Sequence, residues 1–235
     1  MVVQGAWAAA HRVYVFMAVN AAQWYDAAPI VRKRAAHMSL LSPLLFAALQ
    51  HQGWSQHDAF LSPELSGELA AQCVLVQRAG RMKAAGVGSG RTPNVHSAIR
   101  GDSIAWLEAG QSAACDQYLA LMEALRQQLN RELFLGLDDY ESHFALYAPG
   151  AFYRTHLDRF RDDDLRTVSV VIYLNADWLP GQGGALRLHP EGGDSVDILP
   201  EAGRMVMFLS AEMLHEVLPT ARERLSLAGW FRRRA

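Results

Sequence analysis

Phe144-Ala145-Leu146-Tyr147, then His156-Leu157-Asp158, then Thr167-Val168-Ser169-Val170-Val171-Ile172-Tyr173: a histidine and an aspartate two positions apart lie between two runs of strand character. In a strand, residues i and i+2 project to one face, so this imidazole and carboxylate can converge on one point. From Ser142 onward the apolar runs stay short, and turn-forming clusters separate them. These are Asp162-Asp163-Asp164, Pro180-Gly181-Gln182-Gly183-Gly184, Glu191-Gly192-Gly193-Asp194 and Pro200-Glu201-Ala202-Gly203. Seven or eight short strands punctuated in this way predict an all-β sandwich or barrel over the C-terminal part of the chain. Three consecutive carboxylates point in different directions, so Asp162-Asp163-Asp164 reads as a solvated turn and not as a second metal site.

A second histidine, His215, follows several more such runs. Two histidines and one carboxylate on one face of a metal leave three coordination positions open, the pattern of non-haem Fe(II) oxygenases. Nine residues beyond His215 stands Arg224, at the head of Arg224-Leu225-Ser226-Leu227-Ala228-Gly229-Trp230-Phe231. That alternation predicts an inward-facing final strand, and an inward guanidinium requires a carboxylate partner. Each piece has a plainer reading: His156 with Asp158 as a surface hydrogen-bonded pair, His215 at a strand end, Arg224 in a structural ion pair. With 9 His and 13 Asp in 235 residues, about 0.5 His-x-Asp pairs arise by chance. Order and spacing therefore weigh more than the dyad.

The chain also carries Tyr147-Ala-Pro-Gly, Tyr153-Arg-Thr-His156-Leu-Asp158, Arg166-Thr-Val, Ile172-Tyr173-Leu174-Asn175-Ala-Asp-Trp178, Gly183-Gly184-Ala-Leu186-Arg-Leu, and His215-Glu216-Val217-Leu-Pro219 followed by Arg224. Upstream stands Ile99-Arg100-Gly101-Asp102-Ser103-Ile104-Ala105-Trp106-Leu107-Glu108. In this order the motifs resemble the 2-oxoglutarate/Fe(II) dioxygenase domain of prolyl 4-hydroxylases, of the egl-nine type with its bacterial relatives.

That resemblance narrows the β architecture to a double-stranded β-helix (jelly-roll) core, giving an α+β fold braced by two or three N-terminal helices. It implies Fe(II) held by His156, Asp158 and His215, with 2-oxoglutarate and O2 as cosubstrates and ascorbate as reductant. The distal carboxylate of 2-oxoglutarate would meet Arg224, whose planar guanidinium pairs both oxygens and keeps its charge. Tyr173 adds, by resemblance, a phenolic hydrogen bond to the same carboxylate. Tyr147, Tyr153 and Leu186 line the site, and Arg100, Asp102, Arg166 and Trp178 belong to the substrate side. Asp158 separates a hydroxylase from halogenating relatives, in which a small residue replaces the carboxylate. Glu216 is next to a ligand but points to the opposite strand face. The reaction implied is trans-4-hydroxylation of a prolyl residue in a partner protein, with release of succinate and CO2. A transcription or translation factor suits the bacterial relatives as that partner. Two alternatives stay open: hydroxylation of a free amino acid or small metabolite, and an iron/2-oxoglutarate sensor without turnover.

With 51% hydrophobic and 20% charged residues, the chain can bury a substantial core. A net charge of −2 and a pI near 6.5 leave no global basic footprint for nucleic acid. The apolar run Val13-Tyr-Val-Phe-Met-Ala-Val falls far short of the roughly 20 residues that span a bilayer. Cys73 and Cys115 lack CxxC spacing, so buried free thiols in a reducing cytoplasm are expected. Residues 1–37, with the basic cluster Arg32-Lys33-Arg34, read as a disordered extension or a start-site artefact. A single dioxygenase domain is expected over 38–235, its helical brace at 38–135 and its β core at 140–235.

Within the brace, the spacing predicts a helix from Pro43 to Gln52 that stops at Gly53. Ser62 caps a second, which runs from Pro63 to about Ala85 on Leu65, Leu69, Cys73 and Val76. A third spans 111–133 on Tyr118, Leu119, Leu121, Met122, Leu125 and Leu129. Asp138-Asp139 is expected in a loop before a strand that begins near Ser142. Residues 86–97, rich in glycine, are expected to form a loop that the resemblance puts beside the substrate groove. His96 within it has no partner at ligand spacing.

Overall fold

The computed structural model describes residues 40–86, 98–159 and 165–234. Helix α1 (Pro43–Gln52) ends at Gly53 as its spacing predicts. Helices α2 (Pro63–Arg78) and α3 (Ala113–Leu133) both begin at a serine. The Leu65 N–H donates to Ser62 Oγ at 3.2 Å, and the Cys115 N–H to Ser112 Oγ at 3.2 Å. Each such cap contributes about 1 kcal/mol. Helix α2 stops seven residues short of Ala85, and Gly80 is the reason. At φ 66° it takes the left-handed conformation. The Gly80 N–H then reaches the Gln77 carbonyl, and the Arg81 N–H reaches the Val76 carbonyl. These are the two bonds of a Schellman stop, which leaves Lys83–Ala84 free to pair as a strand.

Numbered along the chain, the strands are β1 (Trp54–His57), β2 (Lys83–Ala84), β3 (Asp102–Trp106), β4 (Leu137–Tyr147), β5 (Tyr153–His156), β6 (Arg166–Tyr173), β7 (Leu186–His189), β8 (Val196–Ile198), β9 (Met205–Leu209), β10 (Leu214–Val217) and β11 (Arg224–Arg233). They form a seven-stranded sheet, β1-β9-β6-β11-β4-β3-β2, and a four-stranded sheet, β5-β10-β7-β8. From β4 to β11 the chain passes from one sheet to the other and back, except that β7 and β8 are consecutive in the smaller sheet. Eight strands wound in this way make the expected double-stranded β-helix, and every ladder in it is antiparallel.

Alternation along each strand decides what lies where. On β6, Val168, Val170 and Ile172 face the helices, as do Leu227 and Phe231 on β11; they pack with Leu69, Cys73, Met122, Leu125 and Leu129. Each fully buried leucine or methionine there contributes about 1.5–3 kcal/mol. Within α3, Leu119 and Leu121 are only partly buried. Between the sheets a second core gathers Tyr147, Tyr173, Leu186, Leu188, Val206, Phe208 and Val217.

Strand β4 begins at Leu137, so Asp138 and Asp139 belong to it and not to a loop. Two neighbours impose this. The Asn130 side chain exchanges two hydrogen bonds with the Leu137 backbone (2.7 and 2.8 Å), and Arg232 on the adjacent β11 holds both oxygens of Asp139 (2.6 and 2.9 Å). Cys73 and Cys115 are buried free thiols. Among the described residues, no helix is long and apolar enough to cross a membrane. The expectations for residues 1–37, for the loop at 87–97 with His96, and for the Asp162-Asp163-Asp164 turn lie outside the described residues.

Candidate functional site

His156 ends β5 and His215 lies on β10, directly opposite it in the ladder. Their rings are 4.2 Å apart between centroids. Asp158 completes the group, but not by strand pleating. β5 ends at His156, Leu157 turns outward at 37% exposure, and the carboxylate reaches back as the chain leaves the sheet. Asp158 Oδ1 lies 3.6 Å from His156 Nε2 and 3.7 Å from His215 Nε2. The three ligand atoms all lie within 4.8 Å of one another. Ligands bound to one ion at about 2.0–2.2 Å stand roughly 3 Å apart, so small shifts close the set around a metal.

The backbone has already oriented both rings. His156 Nδ1 donates to the Arg154 carbonyl at 2.7 Å, and His215 Nδ1 to the Met213 carbonyl at 3.0 Å. A carbonyl only accepts, so Nδ1 carries the proton and Nε2 presents its lone pair to the shared point. Burial, opposed by Asp158, pushes the His215 pKa down to about 4, which keeps the ring neutral and able to ligate. Burial alone would raise Asp158, but the two histidines outweigh it and hold the carboxyl well below its usual range. The donor set therefore suits a divalent metal in an open facial arrangement.

Deeper in the same cavity of about 240 Å³ lies Arg224. It is 1% exposed, and its protein bonds are Nε to the Gly184 carbonyl (2.8 Å) and Nη1 to Ser226 Oγ (3.2 Å). Nη2 is buried without a partner, and so is the hydroxyl of Tyr173. The guanidinium lies between the rings of Tyr147 and Tyr173, at 4.9 and 5.1 Å. Burial, opposed by the charge of Arg224, pushes the Tyr173 hydroxyl up to about 12, so it remains a donor. Among the described residues no carboxylate pairs with Arg224. A buried guanidinium with an unpaired N–H is costly unless an external carboxylate supplies the missing partner. The turn that carries the Gly184 carbonyl is packed too tightly for side chains. Gly183 has φ 66°, and a Cβ there would run into the Pro219 carbonyl oxygen.

Tyr147, Tyr153 and Leu186 line the cavity, as do Arg100, Asp102 and Arg166. Tyr153 stacks on His156 (3.6 Å between centroids) with Arg100 4.6 Å over its ring. Arg100 is held by both oxygens of Asp102, at 2.6 and 2.8 Å, so each engages the other before any substrate arrives. Arg166 bonds Glu141 at 3.0 Å and lies 3.6 Å over the Trp230 ring. Trp178 does not line the cavity. Its indole N–H donates to the Gly183 carbonyl and its ring packs on Gly184, so it braces the turn that faces Arg224. Glu216 points away and meets His189.

Sequence reasoning missed His143 and gave Trp230 no role in the site, yet both line the cavity. A period-two count was the available signal. From Tyr147 backwards it reaches Ala145 and His143, and from Arg224 forwards it reaches Ser226, Ala228 and Trp230.

Residues 142–232 match the family profile of the 2OG-Fe(II) oxygenase superfamily. A Pseudomonas putida prolyl-4-hydroxylase is 53% identical, with a TM-score of 0.75, over 82% of this chain and 98% of that one. A Trichoplax adhaerens prolyl hydroxylase, solved with a hypoxia-inducible-factor oxygen-degradation-domain peptide, is 26% identical, with a TM-score of 0.72, over 80% of this chain and 87% of its own. The carbocyclase SnoK of nogalamycin biosynthesis, at 15% identity, 82% and 84% coverage and a TM-score of 0.64, shares the fold.

Proposed function

The chain belongs to the 2OG-Fe(II) oxygenase superfamily, and on that premise we propose that it performs trans-4-hydroxylation of a prolyl residue in a partner protein. The similarity to the Pseudomonas putida prolyl-4-hydroxylase carries this reading. Fold alone would not, because SnoK has the same fold and a different chemistry.

In this reading His156, Asp158 and His215 hold Fe(II), and Arg224 with Tyr173 takes the distal carboxylate of 2-oxoglutarate. The two orphaned buried donors, Arg224 Nη2 and Tyr173 Oη, support that assignment. The bound iron supplies the oxidising power that inserts one atom of O2 into a C–H bond while 2-oxoglutarate is converted to succinate and CO2. The protein's own part is positioning. Nδ1 bonds to the backbone fix both histidine rings, Tyr153 packs against one of them, and Trp178 with Gly183 fixes the carbonyl that orients Arg224. Tyr147, Leu186 and Val217 exclude water from the inner end.

Exposed Trp106 and Leu157 at the cavity rim suit a polypeptide better than a free amino acid. Ascorbate as reductant, a transcription or translation factor as partner, a cytoplasmic location and a catalytic domain over 38–235 complete the proposal. The test combines purified protein with Fe(II), 2-oxoglutarate, ascorbate and an extract of its own proteome. Succinate formation that depends on His156, with one protein gaining an oxygen on proline, is the expected result. Turnover without a modified protein would redirect the search to a small metabolite. Cosubstrate binding without turnover would leave the sensor reading.

A further inference from the structure

Resting on the prolyl reading, we infer that His143 determines how the polypeptide is registered in the cavity: its Nε2 accepts a hydrogen bond from a backbone N–H of the segment that flanks the reacting proline. His143 Nδ1 lies 3.2 Å from the Phe144 carbonyl. That oxygen can only accept, so Nδ1 carries the proton and Nε2 holds a lone pair. Among the described residues nothing donates to Nε2. The ring is 2% exposed and lines the cavity, with Trp106 edge-on at 5.2 Å and Trp230 at 5.5 Å. Burial, joined by the charge of Arg100, pushes its pKa down to about 4, so at neutral pH it is an uncharged acceptor.

The carboxylates near it are already engaged. Arg100 occupies both oxygens of Asp102, and Arg166 and Arg232 occupy those of Glu141. Asp158 belongs to the metal set. A polypeptide entering past Trp106, which is 47% exposed, gives up the water on its amide groups. Each residue except proline brings one N–H, and a buried donor left unmatched weakens binding. Proline has none, so the contact falls on a neighbour. His143 is thus a specificity-determining residue, and it acts on the substrate without taking part in the oxidation.

The test begins with a library of short proline-centred peptides, from which one turned over by the wild type is chosen. Each non-prolyl backbone N–H of that peptide is then replaced in turn by N-methyl. At one position the wild type should lose about tenfold in kcat/KM, equivalent to about 1.4 kcal/mol. The same replacement should cost His143→Leu nothing further. That variant should raise the KM for the parent peptide about tenfold, with kcat and the cosubstrate KM nearly unchanged. His143→Gln keeps a side-chain acceptor and should recover most of the loss.

Equal losses in the Leu and Gln variants would overturn the inference, as would an N-methyl profile that is the same in His143→Leu and wild type. A wild type insensitive at every position would overturn it without recourse to a variant. If the wild type turns over no library peptide, the prolyl reading fails and this inference fails with it.

Discussion

Arg224→Met separates a structural arginine from one kept for a ligand. In the free protein the guanidinium has two acceptors, the Gly184 carbonyl and Ser226 Oγ, and a buried Nη2 with none. Losing two bonds to a charged donor costs about 3–6 kcal/mol. Removing a buried charge that lacks a counter-ion returns several kcal/mol, so the two effects roughly offset. The free variant should therefore melt within about 4–8 °C of the wild type, at 2–4 °C per kcal/mol for a domain of this size. Cosubstrate binding should behave otherwise. Two lost charge-assisted bonds to a carboxylate weaken binding at least about 100-fold. With Fe(II) already bound, 2-oxoglutarate at about 100 times Kd adds about 2.7 kcal/mol, or roughly 5–10 °C, to the wild type, whereas a variant that binds it about 100-fold more weakly should gain only about 0.4 kcal/mol, or roughly 1–2 °C. Anaerobic thermal unfolding of the free protein, of the protein with Fe(II), and of the protein with Fe(II) and 2-oxoglutarate measures both quantities. A variant that loses more than about 10 °C when free but keeps the ligand-induced rise would refute the reasoning, because Arg224 would then be structural.

The metal-free protein should lose stability on mild acidification. His143 and His215 fall from 6.5 to about 4 on folding, chiefly through burial. Below pH 6.5 the unfolded chain binds protons that the folded chain refuses, so stability is full above that value and declines toward pH 4. Midway, two such groups give a slope of about 2.7 kcal/mol per pH unit, readable from urea midpoints. A flat profile between pH 7 and 5 would contradict the burial of both rings. Gly183→Ala should destabilise by more than about 1 kcal/mol and raise the cosubstrate KM, since φ 66° and the Pro219 carbonyl both resist a Cβ. An unchanged melting temperature would refute the first claim. Trp178→Phe removes one hydrogen bond to that turn and should cost about 1 kcal/mol. Its effect should appear in the cosubstrate KM and not in the peptide KM; the reverse would return Trp178 to the substrate side.

Periodicity made much of this legible. Serine caps and 3.6-residue spacing marked the helices, and the strand-and-turn rhythm after Ser142 marked the β-helix. His215 was legible through its motif, and Arg224 through alternation. What escaped depends on partners distant in sequence. Asp138-Asp139 looks like a turn until Arg232, 93 residues away, is seen beside Asp139. His143 is one residue in a strand until β3 and β11 place Trp106 and Trp230 against it. The end of α2 was readable, because Gly80 stands where the helix stops, but the apolar spacing beyond it masked the signal. Asp158 reaches the histidines by a bend that no alternation encodes.

The most direct test of the central claim is the balance between two products. A turned-over prolyl peptide, incubated with protein, Fe(II) and 2-oxoglutarate, is assayed for succinate and for 4-hydroxyproline. Equal amounts from the wild type, and neither from Asp158→Ala, are predicted. Succinate formed at an undiminished rate by Asp158→Ala, or wild-type succinate unaccompanied by hydroxyproline, would contradict it.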